Sequence, residues 1–175
     1  YKKRLSILEE GARVKVRGPE GQFVLHEDYS KSAVFLSGGI GVTPFRSMIK
    51  YVTDKQLPLQ IVMFDSNRNP GNILFKKEFD EWANINKNLK IIYTISENQD
   101  RHEQQQSSST ANDWKGEYGR IDKAMILKYL DTNMLNNSIF YICGPPSMLK
   151  AMQSLLQENL EIPKERIKVE EFTGY

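Results

Sequence analysis

Apolar and polar positions follow two regimes along the chain. Residues 1–10 read as a short helical turn, and Ala12-Arg13-Val14-Lys15-Val16-Arg17 then alternates apolar and polar as a half-buried strand does. Gly18-Pro19-Glu20-Gly21 predicts a turn and Phe23-Val24-Leu25 a second short strand. Two such strands do not make a stable sheet by themselves, so they read as the tail of a preceding β domain. A polar linker over residues 27–32 follows. From there strands and helices alternate. Short apolar runs near 33–37, 59–65, 89–96, 138–143 and 166–172 predict five strands. Helical spacing predicts helices over about 44–55, 73–82, 122–129 and 145–159, the second burying Leu74, Phe75, Phe79 and Trp82, the third capped by Asp122. Residues 97–113 are polar, with Gln104-Gln105-Gln106 and Ser107-Ser108-Ser109, and read as a mobile loop. Near-continuous apolar strands between helices predict an α/β fold, a five-stranded parallel sheet in the order 3-2-1-4-5 with helices on both faces.

Composition narrows the function. The 175 residues carry 24 Lys+Arg against 22 Asp+Glu, a net charge of +2 that gives no reason to invoke nucleic acid or an anionic membrane. A single cysteine, Cys143, excludes an internal disulfide and any cluster held by several cysteines of this chain. Two distant histidines argue against a His-rich metal site. No apolar run is long enough to span a bilayer and no signal peptide is evident, so the default expectation is a cytoplasmic protein. The opening Tyr1-Lys2-Lys3-Arg4, without Met, is expected of a fragment or a processed chain.

Two segments carry the candidate chemistry. Ser37-Gly38-Gly39-Ile40-Gly41-Val42-Thr43-Pro44-Phe45 follows the first strand of the alternating series and opens its first helix. Glycines there permit a tight turn and close backbone approach, and a helix N-terminus offers free N–H groups to a phosphate. Pro44 stands where the dinucleotide fingerprint has its third glycine, and no Gly-Lys-Ser/Thr follows as in a P-loop. Tyr141-Ile142-Cys143-Gly144-Pro145-Pro146-Ser147-Met148 ends the fourth strand, where open α/β sheets bind ligands. Cys143 reads either as a small buried hydrophobe or as a functional thiol; nothing in the sequence supplies a base to make it a nucleophile.

GGIGVTPF, CGPPSM about a hundred residues later and the terminal EEFTGY together resemble the ferredoxin–NADP reductase superfamily, which includes cytochrome b5 reductases and phthalate-dioxygenase-type reductases. GPEGQF at 18–23, MFDSNRNPGNILFKKEF at 63–79 and WKGEYGRID at 114–122 extend the resemblance along nearly the whole chain. The resemblance implies an N-terminal antiparallel flavin barrel, of which residues 1–29 would be the last strands, and an NAD(P)-binding domain over residues 30–175. It implies hydride transfer from nicotinamide to FAD and onward electron transfer to an acceptor such as ferredoxin or another iron–sulfur or haem protein. Gly38, Gly39, Gly41, Val42, Thr43 and Pro44 would approach the pyrophosphate and nicotinamide ribose. Ser66, Asn67 and Arg68 would line the nucleotide site. Cys143, Gly144, Pro145, Pro146 and Met148 would lie at the nicotinamide end, Cys143 nearest the transferred hydride. Phe172 would lie against the flavin, with Tyr175 competing for that role. The family's flavin-binding Arg-x-Tyr-Ser/Thr motif is missing, so most of the flavin site is expected elsewhere.

Ser96 stands where family members that use NADPH carry Ser and Arg for the 2′-phosphate, but Glu97 takes the adjacent place. A carboxylate repels a phosphate and accepts hydrogen bonds from a ribose diol, which favours NADH over NADPH; Arg68 and Arg101 supply positive charge on the other side of the question. Lys76, Lys77, Arg120 and Lys123 offer a basic face that would suit an acidic electron-transfer protein. The alternative to a reductase is a nucleotide-binding or subunit-assembly domain without catalytic function.

Overall fold

A computed structural model describes residues 2–18, 20–96 and 114–171. Six strands make one parallel sheet among these residues: β1 (Ala33–Gly38), β2 (Ile61–Asn67), β3 (Leu89–Ile95), β4 (Glu117–Tyr118), β5 (Ile139–Gly144) and β6 (Ile167–Glu171), in the order β4-β3-β2-β1-β5-β6. The five expected strands occupy their expected order, and the two-residue β4 extends the sheet beyond β3. β1 is buried at every position because it pairs on both edges and is covered on both faces. That is why its sequence reads as an unbroken apolar run.

A single helical turn, α1 (Lys2–Leu5), precedes the sheet, whose two faces carry separate apolar layers. Val34, Leu36, Phe64, Phe140 and Ile142 point toward α4 (Lys123–Tyr129), α5 (Thr132–Asn137) and α6 (Pro146–Ser154). Phe35, Met63, Tyr141 and Cys143 point toward α2 (Val42–Asp54) and α3 (Lys76–Ile85). Asp122 caps α4 by accepting from the Met125 amide at 2.7 Å, as its position predicts. Asp131 does the same for α5 through Met134, a short helix that periodicity did not flag.

Three expectations are corrected. Residues 12–17 form no strand: Val14 is 57% and Val16 84% exposed, and among the described residues no strand pairs with them. Residues 23–25 are not a strand either; they are a strap packed on the α2 face, with Phe23 against Phe45 and edge-on to Tyr141. Leu74 and Phe75 are exposed rather than core, because Phe75 takes a left-handed φ of 56° and the helix begins only at Lys76. Phe79 is buried and Trp82 half-buried as expected. The polar stretch 97–113 lies outside the described residues.

The strap is fastened at His26. Its backbone N–H donates to the Tyr141 hydroxyl (2.9 Å), that hydroxyl donates to His26 Nδ1 (2.9 Å), and Nε2–H donates to the Lys31 carbonyl (3.0 Å). The neutral Nε2–H ring makes all three bonds, and burial lowers the His26 pKa. Lys168 Nζ adds a bond from β6 to the Val24 carbonyl. Tyr141→Phe should cost about 1–2 kcal/mol in thermal denaturation and accelerate amide exchange selectively at residues 23–31.

Candidate functional site

The sheet reverses its winding between β1 and β5. Connections from β1 run outward through β2 and β3, whereas β5 and β6 lie on the opposite side, so loops diverge at the C-terminal ends of β1 and β5 and leave a crevice. A cleft of about 640 Å3 opens there. It is lined by the glycine loop (Gly38, Gly39, Ile40), the end of β2 (Ser66, Asn67, Arg68), Ser96, Arg120 and Ile121, and the start of α6 (Pro145, Ser147, Met148).

The two glycines that flank Ile40 do different work. Gly39 has φ +55° with open space where a side chain would project, so its backbone faces the cleft. Gly41 faces inward: a Cβ there would collide with the Cys143 carbonyl and the Gly144 Cα. The glycine loop is therefore wedged backbone-to-backbone against the end of β5, and Gly41 is demanded by the fold before any ligand arrives. Met148 seats its sulfur against Gly38 and Gly144 and bridges the two strand ends.

Of the residues singled out from sequence, Gly38, Gly39, Ser66, Asn67, Arg68, Ser96, Pro145 and Met148 line the cleft. Gly41, Val42, Cys143 and Gly144 are buried behind it. Thr43 is exposed on the first turn of α2 and bonds the Ile40 carbonyl (2.8 Å), and Pro146 is exposed at the start of α6. Pro44 borders a second hollow of about 480 Å3 between the strap and α2. Glu97, Arg101, Phe172 and Tyr175 lie outside the described residues. The Cys143 thiol has no exposed surface; burial, reinforced by Glu170, pushes its pKa up to about 12, so it stays protonated.

Two features escaped the sequence reading. Arg120, grouped with a basic surface, lines the cleft; of its supposed neighbours, Lys76 pairs with Asp80 and Lys123 bonds the Asn159 carbonyl. Asp65, fully buried in β2, accepts from the Ser37 hydroxyl and from Asn67 Nδ2 (2.9 Å). Desolvation outweighs these bonds and raises its pKa to about 6. A lone Asp closing an apolar run was the available signal.

The wound sheet, the crevice at its switch point and the cleft shared by the glycine loop, Arg68 and Arg120 define a dinucleotide-binding α/β domain. Residues 35–154 match the oxidoreductase NAD-binding domain family, and the chain belongs to it. It is similar to NADH-cytochrome b5 reductase 2 of Lodderomyces elongisporus, 28% identical over 150 residues that cover 85% of this chain and 46% of the relative. It is also similar to nitrate reductase [NADPH] of Emericella nidulans, 31% identical over 166 residues that cover 87% of this chain and 18% of the relative. The CS-b5R domains of human Ncb5or, solved in an NAD+ form, share the fold with a TM-score of 0.72 at 24% identity, over 97% of this chain and 45% of that one. The chain thus spans less than half the length of these relatives. The expected kinship with the ferredoxin–NADP reductase superfamily is borne out.

Gly41→Ala should lower stability by roughly 2–4 kcal/mol, since carbonyl and Cα must move, whereas Gly39→Ala should cost about 1 kcal/mol, chiefly from its positive φ; urea denaturation of both variants separates them. Asp65 gives a pH signature of its own. Its folded pKa lies above the unfolded value of 3.8, so the folded chain binds more protons between about pH 4 and 6 and loses stability as pH rises through that window. The stability difference between Asp65→Asn and wild type should therefore shift in favour of the variant by about 2 kcal/mol from pH 4 to pH 7.

Proposed function

We propose that this chain is the pyridine-nucleotide-binding part of a flavin-dependent oxidoreductase. The observation that carries the reading is the cleft at the β1/β5 switch, with the Gly39 backbone on its floor and Arg68 and Arg120 on its walls. Its size suits an extended dinucleotide, and its two guanidinium groups suit a pyrophosphate. Bound NADH supplies a hydride to FAD, from which single electrons pass to an acceptor.

The protein's own contribution is binding and orientation. Gly38 and Gly39 give the pyrophosphate close access to backbone, Ser147 presents its hydroxyl and N–H at the start of α6, and Met148 fills the space between strand ends. Cys143, Gly144 and Pro145 border the nicotinamide end, where the buried thiol shapes the wall rather than reacting. In this reading Phe172 would be the residue set against the flavin, and residues 1–29 would be the end of the flavin-binding part. The acceptor is an iron–sulfur or haem protein of the ferredoxin or cytochrome b5 kind.

NADH is the favoured donor, because Glu97 follows Ser96. A second reading, NADPH, is favoured by Arg68 and Arg120 sharing the cleft with Ser96. Calorimetric titration of the chain with NAD+ and NADP+ tests both: NAD+ should bind more tightly, and Arg68→Ala and Arg120→Ala should each weaken it about tenfold with a shallower salt dependence. Tighter NADP+ binding that collapses in Arg120→Ala would establish the second reading, and no binding of either would overturn the function.

A further inference from the structure

One row of the sheet is chemically unlike the rest. Cys143, Ser37, Asp65 and Tyr93 are successive register partners across β5, β1, β2 and β3. They lie on the α2/α3 face of the sheet, one to three residues before Gly38, Ser66, Pro145 and Ser96, which line the cleft. At its centre, Asp65 takes one hydrogen bond from Ser37 and one from Asn67 Nδ2. Asn67 is the last residue of β2, lines the cleft and is only 5% exposed. Its other amide atom, Oδ1, is buried and has no partner among the described residues. A buried carbonyl oxygen left without a donor is costly, and a binding site is one of the few places where the cost is recovered.

The orientation of that amide depends on Asp65. A carboxylate accepts only, so it draws Nδ2 inward and turns Oδ1 away. A carboxylic acid can donate to Oδ1, which reverses the amide and leaves Nδ2 in the place Oδ1 held. We propose that Asp65 is a positioning residue of the cleft: as a carboxylate it fixes the Asn67 amide so that Oδ1 accepts a hydrogen bond from a hydroxyl or N–H of the bound nucleotide. The inference rests on the nucleotide-binding function proposed above and adds a protonation switch to it.

The surroundings leave Asp65 free to act this way. Tyr93, from β3, bonds Asp80 of α3, and burial raises its pKa, so it stays neutral. Cys143, beyond Ser37, stays a thiol. Over the same face, Arg46 of α2 pairs with Glu78, and Lys76 of α3 with Asp80. Among the described residues no ion pair reaches Asp65. Burial without a countercharge puts its titration near pH 6, within reach of a binding experiment.

Titration calorimetry with NAD+ and with ADP-ribose from pH 5 to pH 8 tests the proposal on the wild type, Asp65→Asn and Ser37→Ala. Wild-type affinity should fall about tenfold on acidification, with its midpoint near the Asp65 pKa. Asp65→Asn, which can donate to Asn67 Oδ1 as the protonated acid does, should bind at the low-pH level throughout and show no midpoint. Ser37→Ala removes a bond to the carboxylate, so its midpoint should move to higher pH. A flat wild-type profile, or a midpoint that survives in Asp65→Asn and so belongs to His26 or another group, would overturn the proposal. Should Asp65→Asn fail to fold, an unmoved midpoint in Ser37→Ala would overturn it equally. Binding at pH 8 with a flat profile defeats this inference alone, whereas no binding at any pH defeats the nucleotide-binding function.

Discussion

The arrangement turns on one contact between backbones: Gly41 against the carbonyl of Cys143 and the Cα of Gly144. β1 and β5 are neighbours in the sheet but distant in sequence, and this abutment locks the loop after the first to the end of the second. With Gly41 held from below, Gly39 is presented upward with nothing over it. Met148, resting on Gly38 and Gly144, fixes the first turn of α6 to the same point. The cleft is thus not carved into a surface. It is what remains when two strand ends are pinned together and the chains leaving them must diverge.

Around that point the protein tolerates chemistry it excludes elsewhere. Most of the sheet interior is aliphatic or aromatic, yet one rung holds a thiol, a hydroxyl, a carboxylate and a phenol side by side. The rung lies near the C-terminal ends of the strands, close to the mouth. Burial raises the pKa of the thiol, the carboxylate and the phenol, so each is biased toward its uncharged form. The strap does the same for His26, whose pKa is lowered by burial.

Much of this was legible in the amino-acid sequence, and the reasons are physical. Strands covered on both faces must be apolar throughout, so β1, β2, β3 and β5 announced themselves, and Asp122 marked a helix start because a capping carboxylate is a local device. The misses were nonlocal. Whether residues 12–17 become a strand depends on a pairing partner, not on their alternation. Leu74 and Phe75 have helical spacing, but the left-handed turn at Phe75 delays the helix past them. The roles of Gly39 and Gly41 cannot be told apart from GGIG alone, because the difference is a carbonyl supplied by a residue a hundred positions away. Arg120 looked like surface for the same reason: the wall opposite it is built by α6.

The register of β1 has a consequence for how the chain comes to be folded. As it leaves the ribosome, β1 can pair with β2 on one edge almost at once, but its other edge waits for β5, from Ala33 to Ile139. At ordinary elongation rates of 5–20 residues per second that interval lasts roughly 5–20 s. Throughout it, a strand that ends up buried at every position exposes an unpaired edge, a hazard typical of parallel sheets closed late. The strand that makes the switch point is also the one most in need of protection during synthesis.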